Sequence, residues 1–133
     1  MLTTKYSIMT ENDLSYSIRG AAFKVHSTLG PGLLESVYEA ALMYELKKKG
    51  LDVRAQVGVP AFYEEVKLDL GFRIDLLVNN KVIIELKSVE SLTGVHFKQV
   101  QTYLKLTDIK LGLLINFNSL PLRDSIHRIV NNL

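Results

Sequence analysis

The chain has 133 residues and a formal net charge of +2; 47% of its residues are hydrophobic and 23% are charged, proportions typical of one globular domain with a single core. The absence of cysteine excludes disulfides and thiolate zinc sites and favours a reducing, cytoplasmic setting. We find no signal-peptide pattern and no apolar run near the roughly 20 residues of a membrane span, and the small net charge means that any contact with a phosphate backbone is local. We expect residues 1–9 to form a flexible tail and residues 10–133 to form the domain.

The N-terminal part of the chain predicts two helices. Thr10 and Asp13 resemble a helix-starting capping box, and apolar residues recur at helical spacing after them. Gly30-Pro31-Gly32 ends this first helix. The second helix is predicted over Leu33–Lys49, with Gly50 as its left-handed stop.

The remainder of the chain predicts a sheet and a third helix. Lys110–Asn116 is apolar almost throughout, which is typical of a strand that is covered on both faces. Leu120–Val130 fits either a helix or an edge strand. The other strands are predicted near Val53–Val59, Phe62–Val66, Leu68–Val78 and Val82–Ser88, and the third helix over about Val95–Leu106. This order indicates an α/β domain with a mixed β-sheet flanked by helices.

The segment Phe72–Ser88 predicts a hairpin that turns at Asn79-Asn80, because apolar and charged residues alternate along both of its strands. A three-residue loop, Asn79-Asn80-Lys81 with Asn80 in the left-handed conformation, keeps both faces of the hairpin consistent. A two-residue loop would mix the faces. The apolar pairs are then Val78 with Val82, Leu76 with Ile84 and Ile74 with Leu86, and on the other face Leu77 lies opposite Ile83.

The same register places Asp75 opposite Glu85, and Arg73 opposite Lys87. Two facing carboxylates repel each other at a cost of roughly 0.2–1 kcal/mol when they are solvated. Keeping this pair beside Lys87 predicts a divalent-cation site, which the backbone carbonyl of Leu86 and waters would complete. Lys87 would orient a water or stabilise charge on a phosphate. In the alternative interpretation, Arg73 and Lys87 simply neutralise the two acids in a surface charge network.

Two helices contribute further candidates. Glu35 lies at the edge of the apolar face of the second helix, where a carboxylate is either paired or bound to something. In the alternative interpretation, Glu35 complements the helix dipole from the first turn. On the third helix, His96, Gln99 and Tyr103 lie on one face. Glutamine and tyrosine side chains can donate hydrogen bonds to phosphate oxygens, although a tyrosine here can also serve packing alone. His96 is interpreted as structural or solvent-facing.

These segments together resemble a known family. Gly32-Leu33-Leu34-Glu35-Ser36-Val37-Tyr38 is similar to the signature of the GxxExxY proteins, a branch of the PD-(D/E)XK nuclease superfamily. The resemblance extends from about Ile18 to Asn118. It includes Arg73-Ile74-Asp75, Glu85-Leu86-Lys87 and Gln99-x-x-x-Tyr103 in the expected order. No proline precedes Asp75, a departure that the superfamily tolerates. The resemblance implies a restriction-endonuclease-like core, with the acid–x–lysine strand at the centre of a mixed sheet.

The resemblance also implies roles for these residues. Asp75 and Glu85 would be metal ligands, together with the backbone carbonyl of Leu86, and Lys87 would be the catalytic lysine. Glu35 would assist the metal directly or through water. The substrate would be held by two residues of the third helix, Gln99 and Tyr103.

The function implied by the resemblance is a Mg²⁺- or Mn²⁺-dependent nuclease that hydrolyses phosphodiester bonds in nucleic acid, with DNA preferred by analogy. A homodimer would let so small a domain contact both strands of a duplex. The alternative is a catalytically silent module of the same fold that binds nucleic acid or a protein partner. A metal-binding regulatory protein without hydrolytic activity is a third interpretation.

Overall fold

The computed structural model describes residues 9–133, and for residues 68–71 it describes the backbone alone. The elements in chain order are α1 (Glu11–Leu29), α2 (Glu35–Lys48), β1 (Val53–Tyr63), β2 (Val66–Val78), β3 (Val82–Lys87), α3 (Gly94–Thr107), β4 (Leu111–Asn116), a 3₁₀ turn (Leu122–Ser125) and β5 (Ile126–Val130). The sheet has the order β1-β2-β3-β4-β5. Strands β3 and β4 run parallel, and the other neighbouring pairs run antiparallel. The predicted mixed sheet flanked by helices is therefore confirmed, with β3 at its centre.

The two N-terminal helices begin and end close to the predicted positions. Thr10 and Asp13 form the capping box of α1, and Gly30 ends the helix with a positive φ of 72°. Helix α2 begins at Glu35, two residues later than predicted. None of the helices in the described part of the chain is both long enough and apolar enough to cross a membrane. The predicted tail, residues 1–9, lies outside the described residues apart from Met9.

Apolar side chains pack on both faces of the sheet. Helices α1 and α2 cover one face, and α3 covers the other, where Val100 and Leu104 are buried. Helix α3 approaches β4 very closely at Gly112, where a Cβ atom would lie 2.6 Å from Cγ1 of Val100. The same contact fixes the height of α3 above the sheet, and therefore the position of every side chain that this helix carries toward β3.

The first hairpin corrects one predicted strand. Strand β1 continues to Tyr63 and turns back at once into β2, so a separate strand over Phe62–Val66 is wrong. The turn is possible because Glu64 takes a positive φ of 53°. Proline is tolerated at the bulge of an edge strand, and the register of β1 shifts between Val59 and Ala61, on either side of Pro60.

The second hairpin has the predicted three-residue loop. The pairs Leu76–Ile84, Leu77–Ile83 and Val78–Val82 are confirmed. Both Asn79 and Asn80 take positive φ values, of 51° and 54°. Strand β4 is buried along its whole length, as predicted. The ambiguous C-terminal segment forms an edge strand, β5, which pairs with β4.

The outer part of β2 does not keep the predicted faces. Ile74 packs in the cluster under α3, whereas Leu76 and Leu86 pack in the cluster under α1 and α2. The predicted Ile74–Leu86 apolar pair is therefore wrong. The physical reason lies in β1, where Gln56 takes a left-handed φ of 54°. The β1–β2 register has no Gln56–Asp75 pair between the pairs on either side, so both strands rotate at this position.

Candidate functional site

The candidate site lies where β2 and β3 separate. Main-chain pairing between these strands ends at Leu76–Ile84. Beyond this pair, hydrogen bonds to side chains take the place of the main-chain hydrogen bonds between the two strands. The backbone N–H of Asp75 donates to Oε1 of Glu85 (3.1 Å), and the backbone N–H of Leu86 donates to Oδ2 of Asp75 (2.9 Å). Each carboxylate therefore accepts a hydrogen bond from the backbone of the opposite strand through one oxygen, and its second oxygen takes no part in these two bonds.

The carboxyl groups of Glu85 and Asp75 lie next to each other, the first buried and the second half-buried. Glu85 is only 2% exposed. Burial, together with the negative charge of Asp75, raises the pKa of Glu85 to about 8. Burial also raises the pKa of Asp75. Because a buried carboxylate without a cation is costly, this pair would gain more from a bound positive charge than a solvated pair would.

The backbone carbonyl oxygen of Leu86 also faces β2, close to the two carboxyl groups. The N–H and C=O groups of one strand residue lie on the same edge of the strand. Since the N–H of Leu86 bonds Asp75, the carbonyl of Leu86 also lies on the β2 side. The next carbonyl, that of Lys87, lies on the β4 side, where it accepts from Phe117 N–H at 2.8 Å. A cleft of about 200 Å³ opens here, and its walls are Glu35, Ser36, Glu39, Gln56, Asp75 and Leu86.

Lys87 lies two residues after Glu85, yet it forms no ion pair with either acid in the described part of the chain. Burial raises the pKa of Asp75 and of Glu85, and the positive charge of Lys87 opposes that rise. In the described residues, Lys87 Nζ makes no hydrogen bond or ion pair, and the guanidinium of Arg73 donates to the Gln56 carbonyl (3.4 Å). The ion pairs found there are Lys24–Glu45, Lys48–Glu45 and Arg123–Asp124. The described part of the hairpin therefore does not form the surface charge network of the alternative interpretation.

Glu35 connects α2 to the end of β3. Its Oε2 accepts a hydrogen bond from the backbone N–H of Ser88 (3.2 Å), and Ser88 Oγ donates to the Leu33 carbonyl (2.6 Å). The negative charge of Glu35 also contributes to the raised pKa of Asp75, although burial is the larger cause. Glu35 is thus close to the acid pair and has a structural partner of its own.

The other residues of the segment Gly32–Tyr38 stabilise the loop before α2. Tyr38 is fully buried and stacks on Phe117, with 4.5 Å between ring centroids. Its hydroxyl donates to the Gly30 carbonyl (2.6 Å) and accepts from the Leu33 backbone N–H (3.1 Å). Gly32 lies in this loop with a φ of 95°, where a side chain would be strained. The segment therefore places Glu35 against Ser88.

Gln99 and Tyr103, the two candidates on helix α3, lie on the face of the sheet opposite to α1 and α2. Gln99 Nε2 donates to the Tyr103 hydroxyl (3.1 Å). Burial raises the pKa of Tyr103, and the negative charge of Glu85 acts in the same direction, so this hydroxyl lies within electrostatic reach of the acid pair. His96 caps its own helix by accepting the Thr93 backbone N–H at Nδ1 (3.1 Å), which agrees with its structural interpretation.

Two residues of the site were not recognised in the sequence. Gln56 Nε2 donates to Oε1 of Glu39 (2.7 Å), and burial raises the pKa of Glu39. Glu39 follows Glu35 by four residues, so helical spacing places both acids on one face, and this signal could have identified it. Gln56 reaches the cleft through a left-handed backbone, which no sequence pattern indicates.

The donor set can be tested against a divalent cation. Among the side chains that the structure describes, residues 9–67 and 72–133, no group of three or more histidine, cysteine, aspartate and glutamate residues is placed to hold a metal. Mg²⁺ nevertheless binds proteins through one or two carboxylates and keeps several waters. Asp75 and Glu85 offer two carboxylates, and Leu86 offers a nearby carbonyl. These hard oxygen donors fit Mg²⁺ or Mn²⁺.

Comparison with known proteins agrees with the fold. A family model of the PD-(D/E)XK nuclease superfamily matches residues 12–129. A solved structure described as "Crystal structure of SSO0001" matches with a TM-score of 0.54 and 22% identity, over 90% of this chain and 62% of that chain. This chain thus spans less than two thirds of that protein, and the likeness concerns the fold alone. A search of curated proteins gives no significant match.

The α/β fold is restriction-endonuclease-like. Nucleases of the matching superfamily act on nucleic acid and generally use divalent metals. Because the family model covers most of the chain, from the first turn of α1 to the penultimate residue of β5, the family assignment does not rest on one motif. The protein belongs to the PD-(D/E)XK nuclease superfamily.

Proposed function

We propose that this protein is a divalent-metal-dependent nuclease of the GxxExxY branch, hydrolysing phosphodiester bonds in nucleic acid, with DNA as the preferred substrate. One observation carries the proposal: the buried Glu85 of β3 and the half-buried Asp75 of β2 lie side by side, and Lys87 follows Glu85 without a partner in the described residues. A lysine that makes no ion pair and no hydrogen bond beside two acids is available for a substrate.

In this proposal Asp75, Glu85 and the Leu86 carbonyl hold Mg²⁺ or Mn²⁺. When bound, the ion supplies a Lewis acid that offsets phosphate charge and lowers the pKa of water. Lys87 donates hydrogen bonds to the scissile phosphate or to the attacking water. Its fixed positive charge stabilises the negative charge that develops there.

The flanking residues orient these groups. Glu35 fixes the chain just after Lys87 through Ser88, and it assists the metal directly or through water. Gln99 and Tyr103, already joined by a hydrogen bond, would contact the phosphates of the bound strand. A net charge of only +2 makes binding weak and steeply dependent on salt. Association of two copies would bring a second set of contacts to a duplex.

The test is cleavage of single- and double-stranded DNA and RNA with Mg²⁺, with Mn²⁺ and with EDTA. The diagnostic variant is Lys87→Met, which keeps most of the side-chain length and removes the charge. Lys105→Met is the matched control, because Lys105 is an exposed lysine on α3. We expect metal-dependent cleavage that Lys87→Met lowers about 100-fold or more and that Lys105→Met leaves unchanged.

Two outcomes would reject the proposal. Cleavage that persists at full rate in Lys87→Met would indicate a contaminating nuclease or a different site. Binding of nucleic acid or of a protein partner, without any Lys87-dependent cleavage, would favour the silent module. Both variants should unfold at the same denaturant concentration as the parent protein, so that a loss of activity reports on chemistry.

A further inference from the structure

A second, larger cavity lies beside Lys87 on the face of the sheet that α3 covers. Its volume is about 560 Å³, within the range of small-ligand sites, about 300–1,000 Å³. Its apolar and aromatic walls come from Phe72, Val95 and Tyr103, and two lysines, Lys87 and Lys98, flank them. Lys87 lines this groove and also lies two residues after Glu85, so one lysine belongs to both the groove and the candidate site.

The aromatic wall is held in place. The rings of Phe72 and Tyr103 meet edge to face, with 6.0 Å between their centroids and 76° between their planes. Tyr103 is 3% exposed, whereas Phe72 is 37% exposed. Gln99 holds the Tyr103 hydroxyl from the helix side. Phe72 is therefore a supported aromatic ring with part of its surface open to the groove.

The remaining walls combine apolar surface with positive charge. Val95 is 76% exposed at the start of α3, and Lys98 follows it by one helical turn. Lys87 and Lys98 therefore line the same groove as this apolar surface. This combination fits a flat, aromatic body joined to anionic groups, which is the chemistry of a nucleotide within a strand.

We propose that the groove holds one unpaired nucleobase of the strand whose phosphate lies at Lys87, so that the substrate is single-stranded nucleic acid or a frayed strand end. The identification of the strand rests on the proposed nuclease function. A base within a duplex has both faces covered by its neighbours and cannot enter an apolar groove unless it is first unstacked. An unpaired base can stack on an aromatic side chain without regard to sequence.

The experiment measures binding in EDTA, where no cleavage is expected, at low ionic strength to retain electrostatic attraction. A fluorescent DNA oligonucleotide is titrated as a single strand and as a blunt duplex. The proteins are the parent, Phe72→Ala, Phe72→Leu and Phe72→Trp. Tyr16→Ala is the matched control, since Tyr16 is an aromatic residue of α1 that is 84% exposed.

We expect the parent to bind the single strand more tightly than the duplex. Phe72→Ala and Phe72→Leu should weaken single-strand binding roughly tenfold, the size of one lost base–aromatic stack, while Phe72→Trp should retain it. Replacing the bases by abasic sites should remove the difference between the parent and Phe72→Ala. Tyr16→Ala should bind like the parent.

The inference is overturned if Phe72→Ala and the parent bind the single strand equally, if Phe72→Leu restores full affinity, or if the parent does not bind the single strand. It is also overturned if Phe72→Ala weakens duplex binding to the same extent. Binding that depends on Phe72 in a protein that never cleaves would support the groove and reject the nuclease proposal. The two ideas therefore fail separately.

Discussion

The Glu35 carboxylate accepts a hydrogen bond from the backbone N–H of Ser88 (3.2 Å), one residue beyond Lys87. This bond joins the first turn of α2 to the end of β3. The spacing of Gly32, Glu35 and Tyr38 therefore has a structural explanation: Tyr38 fixes the loop, and Glu35 fixes the strand end that carries Lys87.

The first prediction separates the anchoring role of Glu35 from a chemical one. Glu35→Gln keeps an oxygen that can accept from Ser88, whereas Glu35→Ala removes it. We expect Glu35→Ala to lower the free energy of unfolding by about 1 kcal/mol and Glu35→Gln to lower it by less than half of that. Urea denaturation without metal measures both. An equal loss in the two variants would show that charge at the helix N-terminus, not the hydrogen bond, matters here.

The second prediction concerns Asp75. Asp75→Asn keeps an acceptor for the Leu86 N–H but removes one of two neighbouring negative charges. Without metal, we expect the free energy of unfolding to stay the same or to rise by up to about 1 kcal/mol. The stabilisation of the parent by added Mn²⁺ should disappear, because that stabilisation requires binding to the folded state.

The control for that experiment is Asp52→Asn, at an exposed position, which should retain the full response to Mn²⁺. Marked destabilisation of metal-free Asp75→Asn with an intact response to Mn²⁺ would place the cation elsewhere. Thermal unfolding at several Mn²⁺ concentrations gives the whole comparison.

The third prediction is a pH dependence of stability in EDTA. The pKa of Glu85 is about 8 in the folded protein, whereas a glutamate in an unfolded chain titrates near ~4.3. Between these pH values the folded state holds a proton that the unfolded state has lost. The free energy of unfolding should therefore be highest below the lower value and should fall, by roughly 2–4 kcal/mol, as pH rises to about 8.

Glu85→Gln removes the titrating group and should flatten much of this slope. The raised pKa of Asp75 acts in the same direction, so a smaller slope should remain in that variant. Saturating Mn²⁺ should flatten the slope in the parent, because a bound cation favours the ionised acids. Stability that rises between pH 5 and pH 8 in EDTA would contradict the burial of this pair.

The fourth prediction tests the loop before α2. Tyr38→Phe keeps the stack on Phe117 and removes the hydroxyl that bonds Gly30 and Leu33. We expect a loss of about 1–2 kcal/mol in the free energy of unfolding. Tyr16→Phe, on an exposed tyrosine, should cost almost nothing. If both variants unfold alike, the loop does not depend on the Tyr38 hydroxyl.

Local chemistry made part of this structure predictable. Two asparagines in sequence tolerate left-handed backbone, and only an odd loop keeps the apolar residues of both strands on one face. These two facts predicted the loop at Asn79-Asn80 and the pairing of the three residues next to it. The continuous apolar character of β4 likewise predicted its burial on both faces.

The predictions that were wrong concern features that depend on contacts between residues distant in sequence. Ile74 changes face because β1 and β2 rotate together at Gln56 and Asp75. A glutamine in the sequence does not predict a left-handed backbone conformation. The start of α2 is delayed to Glu35 because Leu33 is bonded by Tyr38 and Ser88. Ser88 is 55 residues away from Leu33, so no local pattern contains this information.

The hydrogen bonds of the acids have an evolutionary consequence. Asp75, Glu85 and Glu35 each accept a main-chain N–H, so selection for folding alone favours an oxygen acceptor at all three positions. Lys87 makes no hydrogen bond or ion pair in the described part of the chain, so folding retains it only through its electrostatic attraction to the two acids. Under the proposed function, a change at this lysine, more than at any of the three acids, would mark a descendant that no longer cleaves its substrate.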